Sequence, residues 1–267
     1  ASESELNNLT HRFRIGSISK TFTAAAIQLL IKEGGLQPDD KLEKYLPGFP
    51  NASKITILQL LEHRSGVCDF TQKDFQNYMF QPVDFTMLID LLKKKKPAFD
   101  PGKKFEYNNA GYVLLGFIIE KVSGKKYLDF LKEKIFAPLD MTETGYADYD
   151  ADVPFLSKGY FEGMAPDNKK YNYSMLLSIG AMYSTLADMK KWLCCSPGTL
   201  FGTQGTTPLG WASGVRFDQD AYWHSGITNS YSSFAFKVKN ADSYFIFLSN
   251  EGIKPVQLAK QIGAKVW

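Results

Sequence analysis

Up to about residue 195 the apolar side chains of this 267-residue chain recur at helical spacing, and after residue 205 they no longer do. The segments "TILQLLEHRSG", "MLIDLLKKKK", "GYVLLGFIIEKVSG" and "YLDFLKEKIFAPL" read as helices. Thr56 is placed to cap the first of them, which Gly66 would stop, and Thr86 to cap the second. In "STLADMKKWL", Thr185 and Asp188 form a capping box with aspartate in place of glutamate. Beyond residue 205, "GWASGVRF", "AYWHSG", "SYSSFAFKVKN" and "SYFIFLSNEG" are short, aromatic and β-branched, and Asn240-Ala241-Asp242 supplies a hairpin turn. "VQLAKQIGAKVW" closes the chain as a helix. This order predicts one α/β (α+β) domain over 1–267. An α/β lobe takes 1–38 and 205–267, and a mostly helical lobe, 39–204, is inserted between them.

Composition narrows the function. An apolar content of 44% and a charged content of 22% are ordinary for a globular chain. A net charge of +3 is too small and too scattered to suggest nucleic acid as a partner. The basic run Lys93 to Lys96 follows an apolar helical pattern and suits the last turn of a helix. Three cysteines make no CxxC, and His11, His63 and His224 share no metal-binding spacing, so neither a disulfide framework nor a metal site is expected. No apolar run is long enough for a membrane span, and the polar "ASESELNN" carries no leader pattern.

Near the front, "FRIGSISKTFTAAAIQLLIKEGG" opens like an amphipathic helix with Ser17 and Lys20 three residues apart in its first turn. That spacing puts the lysine within reach of the serine hydroxyl, where N-terminal backbone N–H groups stabilise negative charge. A lysine with a lowered pKa can then deprotonate the serine. A capping serine followed by a surface lysine fits the same letters. A second SxxK, Ser123 to Lys126, is interrupted by Gly124. Tyr107-Asn108-Asn109, in the loop "FDPGKKFEYNNAGY", offers a tyrosine proton relay if nearby cations lower its pKa, and an amide in Asn109 for an amide-bearing substrate. Alternatively, one asparagine caps the next helix and Tyr107 packs. His224-Ser225-Gly226 falls on a strand, where small Ser225 and Gly226 would admit a substrate backbone and the Ile227 N–H could join that of Ser17 as an oxyanion hole.

SxxK, then YxN about ninety residues later, then HxG on a late strand resemble, in that order, the serine β-lactamase and penicillin-binding protein superfamily. The class C β-lactamase and DD-peptidase branch is the most similar. "KYLPGFPNASKITILQLLEHRSGV", "IFAPLDMTETGY" and "HSGITNSYSSFAFKV" carry the likeness from about residue 12 to 250. The resemblance implies a β-lactamase/transpeptidase-like fold, an antiparallel sheet flanked by helices with an inserted all-α lobe. It also implies acyl transfer with Ser17, Lys20 and Tyr107 catalytic, Asn109, His224, Ser225 and Gly226 on the substrate, and no cofactor. Substrates would be β-lactams, D-alanyl peptides or esters. The alternatives are a D-amino-acid amidase or peptidase, and a penicillin-binding sensor or inactive scaffold. Periplasmic or secreted placement is implied, with cytoplasmic placement as the alternative.

Two departures stand out. Family members carry two long strands before the SxxK helix, whereas the 16 residues before Ser17 show no clear strand pattern, so those strands are expected to be missing and a sheet edge open to self-association. "CCSPGTLFGTQGTTPLGW" also looks short. Where β-lactamases usually have lysine, His224 is expected to offer a weaker positive charge to a substrate carboxylate.

Overall fold

A computed structural model describes residues 7–70, 75–162, 164, 171–195, 209–228 and 230–252. Its helices are α1 (Ser19–Lys32), α2 (Leu42–Tyr45), α3 (Ile57–Leu61), α4 (Phe75–Tyr78), α5 (Phe85–Lys93), α6 (Asn109–Ser123), α7 (Tyr127–Leu131) and α8 (Leu186–Cys195). Its strands are β1 (Phe13–Arg14), β2 (Gly145–Tyr146), β3 (Met182–Ser184), β4 (Ala212–Arg216), β5 (Gln219–Ile227), β6 (Ser232–Val238) and β7 (Tyr244–Ser249). The strands after residue 205 form one antiparallel sheet in the order β4-β5-β6-β7, so β4 and β7 are its outer strands among the described residues. The expected final helix and much of the "CCSPGTLFGTQGTTPLGW" stretch lie outside those residues.

The helix α1 is not amphipathic. Every residue from Ser19 to Gln28 is buried, because α6 packs against it and the small side chains of Ala24, Ala25 and Ala26 let neighbours approach on all sides. Phe22 stacks on Trp192 with ring centroids 4.1 Å apart and meets Phe136 edge-on at 5.8 Å. A helix enclosed in this way holds its first turn rigidly, and that turn carries the motif.

Helix ends follow local chemistry, with three shifts from expectation. Thr56 and Gln59 make a reciprocal capping box on α3, which nonetheless ends at Leu61, with His63 in the left-handed region (φ 57°), well before Gly66. The cap of α5 is Asp84, whose carboxylate accepts from the Met87 N–H, so the helix starts ahead of Thr86. On α8, Thr185 Oγ1 accepts from the Asp188 N–H (3.2 Å), but the Asp188 carboxylate accepts instead from the Glu143 N–H and the Thr144 hydroxyl. It clamps a loop rather than closing the box. A further surprise is a second sheet, β1-β3-β2, two of whose strands, β2 and β3, lie inside the lobe that read as helical. Phe13 and Arg14, just before the motif, pair with Ser184 and Tyr183, so the approach to Ser17 is a short strand in this small sheet.

Candidate active site

Ser17 lies in a 3₁₀ turn, Gly16–Ile18, one step before α1 proper. The turn is pressed against β5 by two glycines. Gly16 has φ +52°, and a Cβ there would sit 2.7 Å from the Ile227 nitrogen; a Cβ on Gly226 would sit 2.0 Å from the Ile15 carbonyl oxygen. Ser233 Oγ donates to the same carbonyl at 2.7 Å. Gly226 is therefore small because main chain fills its space, not because a substrate does.

Lys20 is completely buried. Its Nζ lies 3.1 Å from Ser17 Oγ and donates to the Ile179 carbonyl at 2.8 Å. Removal from water, the largest cause, lowers the ammonium from 10.5 to about 7, with the Asp69 charge pulling the other way. A surface lysine would show none of this.

Tyr107 brings its ring over Lys20, with Nζ 5.1 Å from the centroid. The residue as a whole is 43% exposed, yet its hydroxyl lies on the Ser17 side of the site. Loss of water around that hydroxyl pushes the phenol up to about 12. The relay expected from a cation-lowered tyrosine is thus reversed: Lys20 is the group that sheds its proton near neutrality, and Tyr107 keeps its own. Behind it, His63 faces Tyr107 at 4.6 Å and Tyr112 at 4.9 Å. Burial and the Lys20 charge hold this histidine neutral, down to about 4.

The two asparagines divide their duties. Asn108 caps α6, its Oδ1 accepting from the Gly111 N–H at 2.7 Å and its Nδ2 donating to the Val67 carbonyl at 2.7 Å. Asn109, the first residue of α6, donates its N–H (2.9 Å) and its Nδ2 (3.3 Å) to Asp69 Oδ2. Neither Asp69 nor Ile179 was singled out in the sequence, since neither belongs to a recognisable spacing.

On β5 the Thr228 N–H donates to the Tyr231 carbonyl, which makes Gly226–Ser233 a bonded pair and Ile227–Ser232 a non-bonded one. The main-chain groups of Ser225 and Ile227 consequently point away from β6. Pairing with β4 runs only as far as Trp223, opposite Ala212, so these groups meet the 3₁₀ turn of Ser17 instead. His224 Nδ1 donates to the Ser225 carbonyl at 2.8 Å, leaving Nε2 as an acceptor. Burial, with the Lys20 charge second, lowers this imidazole to about 3. The expected weak positive charge is absent at neutral pH: loss of water around the ring and the nearby Lys20 charge both disfavour the imidazolium, although the residue as a whole is only half-buried.

A cavity of about 560 Å³ opens beside Ser17. Asn109, Asn172 and Thr228 give its lining polar groups, and Met79, Phe161, Tyr171, Tyr173, Leu176 and Ile227 make much of the rest apolar or aromatic. Among the described residues no lining side chain is charged.

The family profile described as beta-lactamase matches residues 4–263. The chain belongs to that family. It is 42% identical over 135 residues to penicillin-binding protein 4* of Bacillus subtilis (strain 168), covering 49% of this chain and 30% of that protein. Among solved structures, a D-stereospecific amidohydrolase from Streptomyces sp. matches with TM-score 0.82 and 27% identity over 95% of this chain and 87% of that one. A penicillin-binding protein from Bacillus halodurans matches with TM-score 0.82 and 25% identity over 99% and 88%. The chain spans only 30% to 50% of the length of the first curated relatives it matches. No helix among the described residues is long and apolar enough to cross a membrane.

Proposed function

We propose that this chain is a serine hydrolase that works through a covalent acyl-enzyme on Ser17, with Lys20 as its base. One observation carries the reading: a wholly buried amine, brought down to about 7, stands 3.1 Å from the Ser17 hydroxyl. At neutral pH about half of such lysines are unprotonated. Lys20 takes the Ser17 proton as Oγ attacks the carbonyl carbon of a β-lactam, D-alanyl peptide, amide or ester. The oxyanion rests on the Ser17 and Ile227 N–H groups. Collapse breaks the bond to the leaving group, which receives the proton back from Lys20 through the Tyr107 hydroxyl. A water, deprotonated along the same pair, then frees the acyl group and regenerates Ser17. Asn109 faces the acyl part, and the aromatic and aliphatic lining of the cavity suits a bulky hydrocarbon or aromatic group there.

A second reading within this chemistry, hydrolysis of D-amino-acid amides or esters, is favoured by the neutral His224. An imidazole lowered to about 3 gives no cation for the carboxylate that β-lactams and D-Ala-D-Ala peptides carry. The similarity to a D-stereospecific amidohydrolase points the same way.

The test is a panel of chromogenic cephalosporin, p-nitrophenyl esters, D-amino-acid amides and D-Ala-D-Ala peptides, run beside Ser17→Ala with intact-mass detection of the acyl-enzyme. Turnover that disappears with Ser17, together with a mass adduct on the wild type, supports the proposal. Turnover that survives Ser17→Ala overturns it, and an adduct that forms but never releases identifies a penicillin-binding sensor.

A further inference from the structure

Tyr107 stands in the loop before α6 and is 43% exposed, so burial does not fix its position. The chain on either side of it is held instead by one residue, His63, in the turn after α3. The main-chain N–H of Glu106, just before Tyr107, donates to the His63 carbonyl at 2.9 Å. Just after Tyr107, Asn108 meets the imidazole. Nδ1 accepts the Asn108 N–H at 3.1 Å and, in the other tautomer, reaches the Asn108 carbonyl at 3.2 Å. Both tautomers therefore hold Asn108.

The turn that makes these bonds is itself anchored. The Gly102 N–H donates to the Arg64 carbonyl at 2.8 Å, and Arg64 Nη2 donates to the Gly102 carbonyl at 2.7 Å. The start of the loop is thus laced to the same turn as its end. The His63 ring lies against Tyr107 with centroids 4.6 Å apart and stacks on Tyr112 at 4.9 Å. Tyr112 is fully buried and donates to the Leu61 carbonyl at 3.0 Å. One imidazole links a fixed tyrosine to the exposed one.

We propose that His63 is a positioning residue of this site: through the main chain on both sides of Tyr107, and through ring contact, it places the hydroxyl that hands a proton to the leaving group. The inference rests on the reading of Ser17, Lys20 and Tyr107 given above. In that reading the proton taken from Ser17 by Lys20 passes through Tyr107 to the departing atom as the carbonyl carbon's bond to it breaks. A p-nitrophenolate leaves as a stable anion without that proton, whereas an amine leaves only once its nitrogen is protonated. A displaced Tyr107 therefore slows acylation by an amide far more than by the activated ester of the same acyl group. Damage to the fold around Ser17 or Lys20 slows both alike.

The experiment compares kcat/KM, which reports the steps through acylation, for a D-amino-acid p-nitrophenyl ester and the matching amide. His63→Phe and His63→Leu both remove the ring nitrogens, the first keeping a flat ring. Each should lower the amide-to-ester ratio by about 10-fold, the scale of a misplaced proton donor. His63→Asn suits the left-handed backbone (φ 57°) and keeps a polar group for Asn108, so its ratio should stay within about 3-fold of wild type. With Tyr107→Phe there is no hydroxyl to place, and the His63 changes should leave the ratio where Tyr107→Phe alone puts it. A folded Phe or Leu variant at the wild-type ratio, or an equal further loss on top of Tyr107→Phe, overturns the inference. If neither folds, a His63→Asn ratio as low as that of Tyr107→Phe overturns it instead. Tyr107→Phe at the wild-type ratio refutes the relay, and a wild type with no mass adduct on Ser17 refutes the underlying function. Both are distinct from a failure of His63 alone.

Discussion

A lysine whose ammonium falls from 10.5 to about 7 is held in the fold against its own charge, so Lys20→Met should make the protein more stable while disabling it. Such a fall means the protonated form is disfavoured in the native state by about 5 kcal/mol, nearly all of it felt at pH 7. Methionine keeps an unbranched, flexible side chain one atom shorter than lysine. It gives up the bonds to Ser17 Oγ and the Ile179 carbonyl and leaves that carbonyl unpaired, at a cost of about 1–3 kcal/mol. The balance is a variant about 2 kcal/mol more stable at pH 7 with acylation reduced by at least about 10³. The sign is set by proton counting. Between the folded value near 7 and the unfolded value of 10.5 the unfolded chain binds more protons at Lys20, so wild-type stability rises with pH across that window. Other titrating groups are shared by the two proteins. Urea denaturation of both at pH 7, 8 and 9 should therefore show the advantage of the variant shrinking steadily. A gap that stays flat over that range, or a wild type more stable than the variant at pH 7, would refute the reasoning.

Gly226→Ala places a methyl 2.0 Å from the Ile15 carbonyl oxygen, a main-chain atom that cannot step aside. It should cost about 3 kcal/mol in chemical denaturation and depress the Ser17 acylation rate through displacement of Ile227. Full stability with full activity would show that the turn and the strand are not locked. His224→Lys should raise kcat/KM for substrates carrying a carboxylate, relative to their esters or amides, by about 10-fold, the worth of one charge-assisted contact. An unchanged ratio in paired kinetic assays would mean that the neutral histidine does not set leaving-group preference.

Much of the fold can be read from periodicity, and its misreadings share one cause. The strands after residue 205 and the helices α3, α5 and α6 are local patterns, and local patterns survive in sequence. The small sheet of β1, β2 and β3 was not legible, because strands of two or three residues carry no period and exist only through pairing between distant segments. The burial of α1 on all sides was likewise hidden, since its alanines fit an exposed helix as well as an enclosed one.

For the site, the division is sharper. The sequence by itself determined which side chains are available: Ser17 and Lys20 three apart, Tyr107 and Asn109 before a helix, His224 and Gly226 on a strand. Tertiary structure decided their charge and their neighbours. Lys20 meets the Ile179 carbonyl across 159 positions, and Asp69 meets Asn109 across 40. Desolvation is a property of what surrounds a group, and the groups around Lys20, His63 and His224 come from separate elements. Loss of water turns one lysine into a base and keeps the two histidines beside it neutral, and no spacing of letters encodes that.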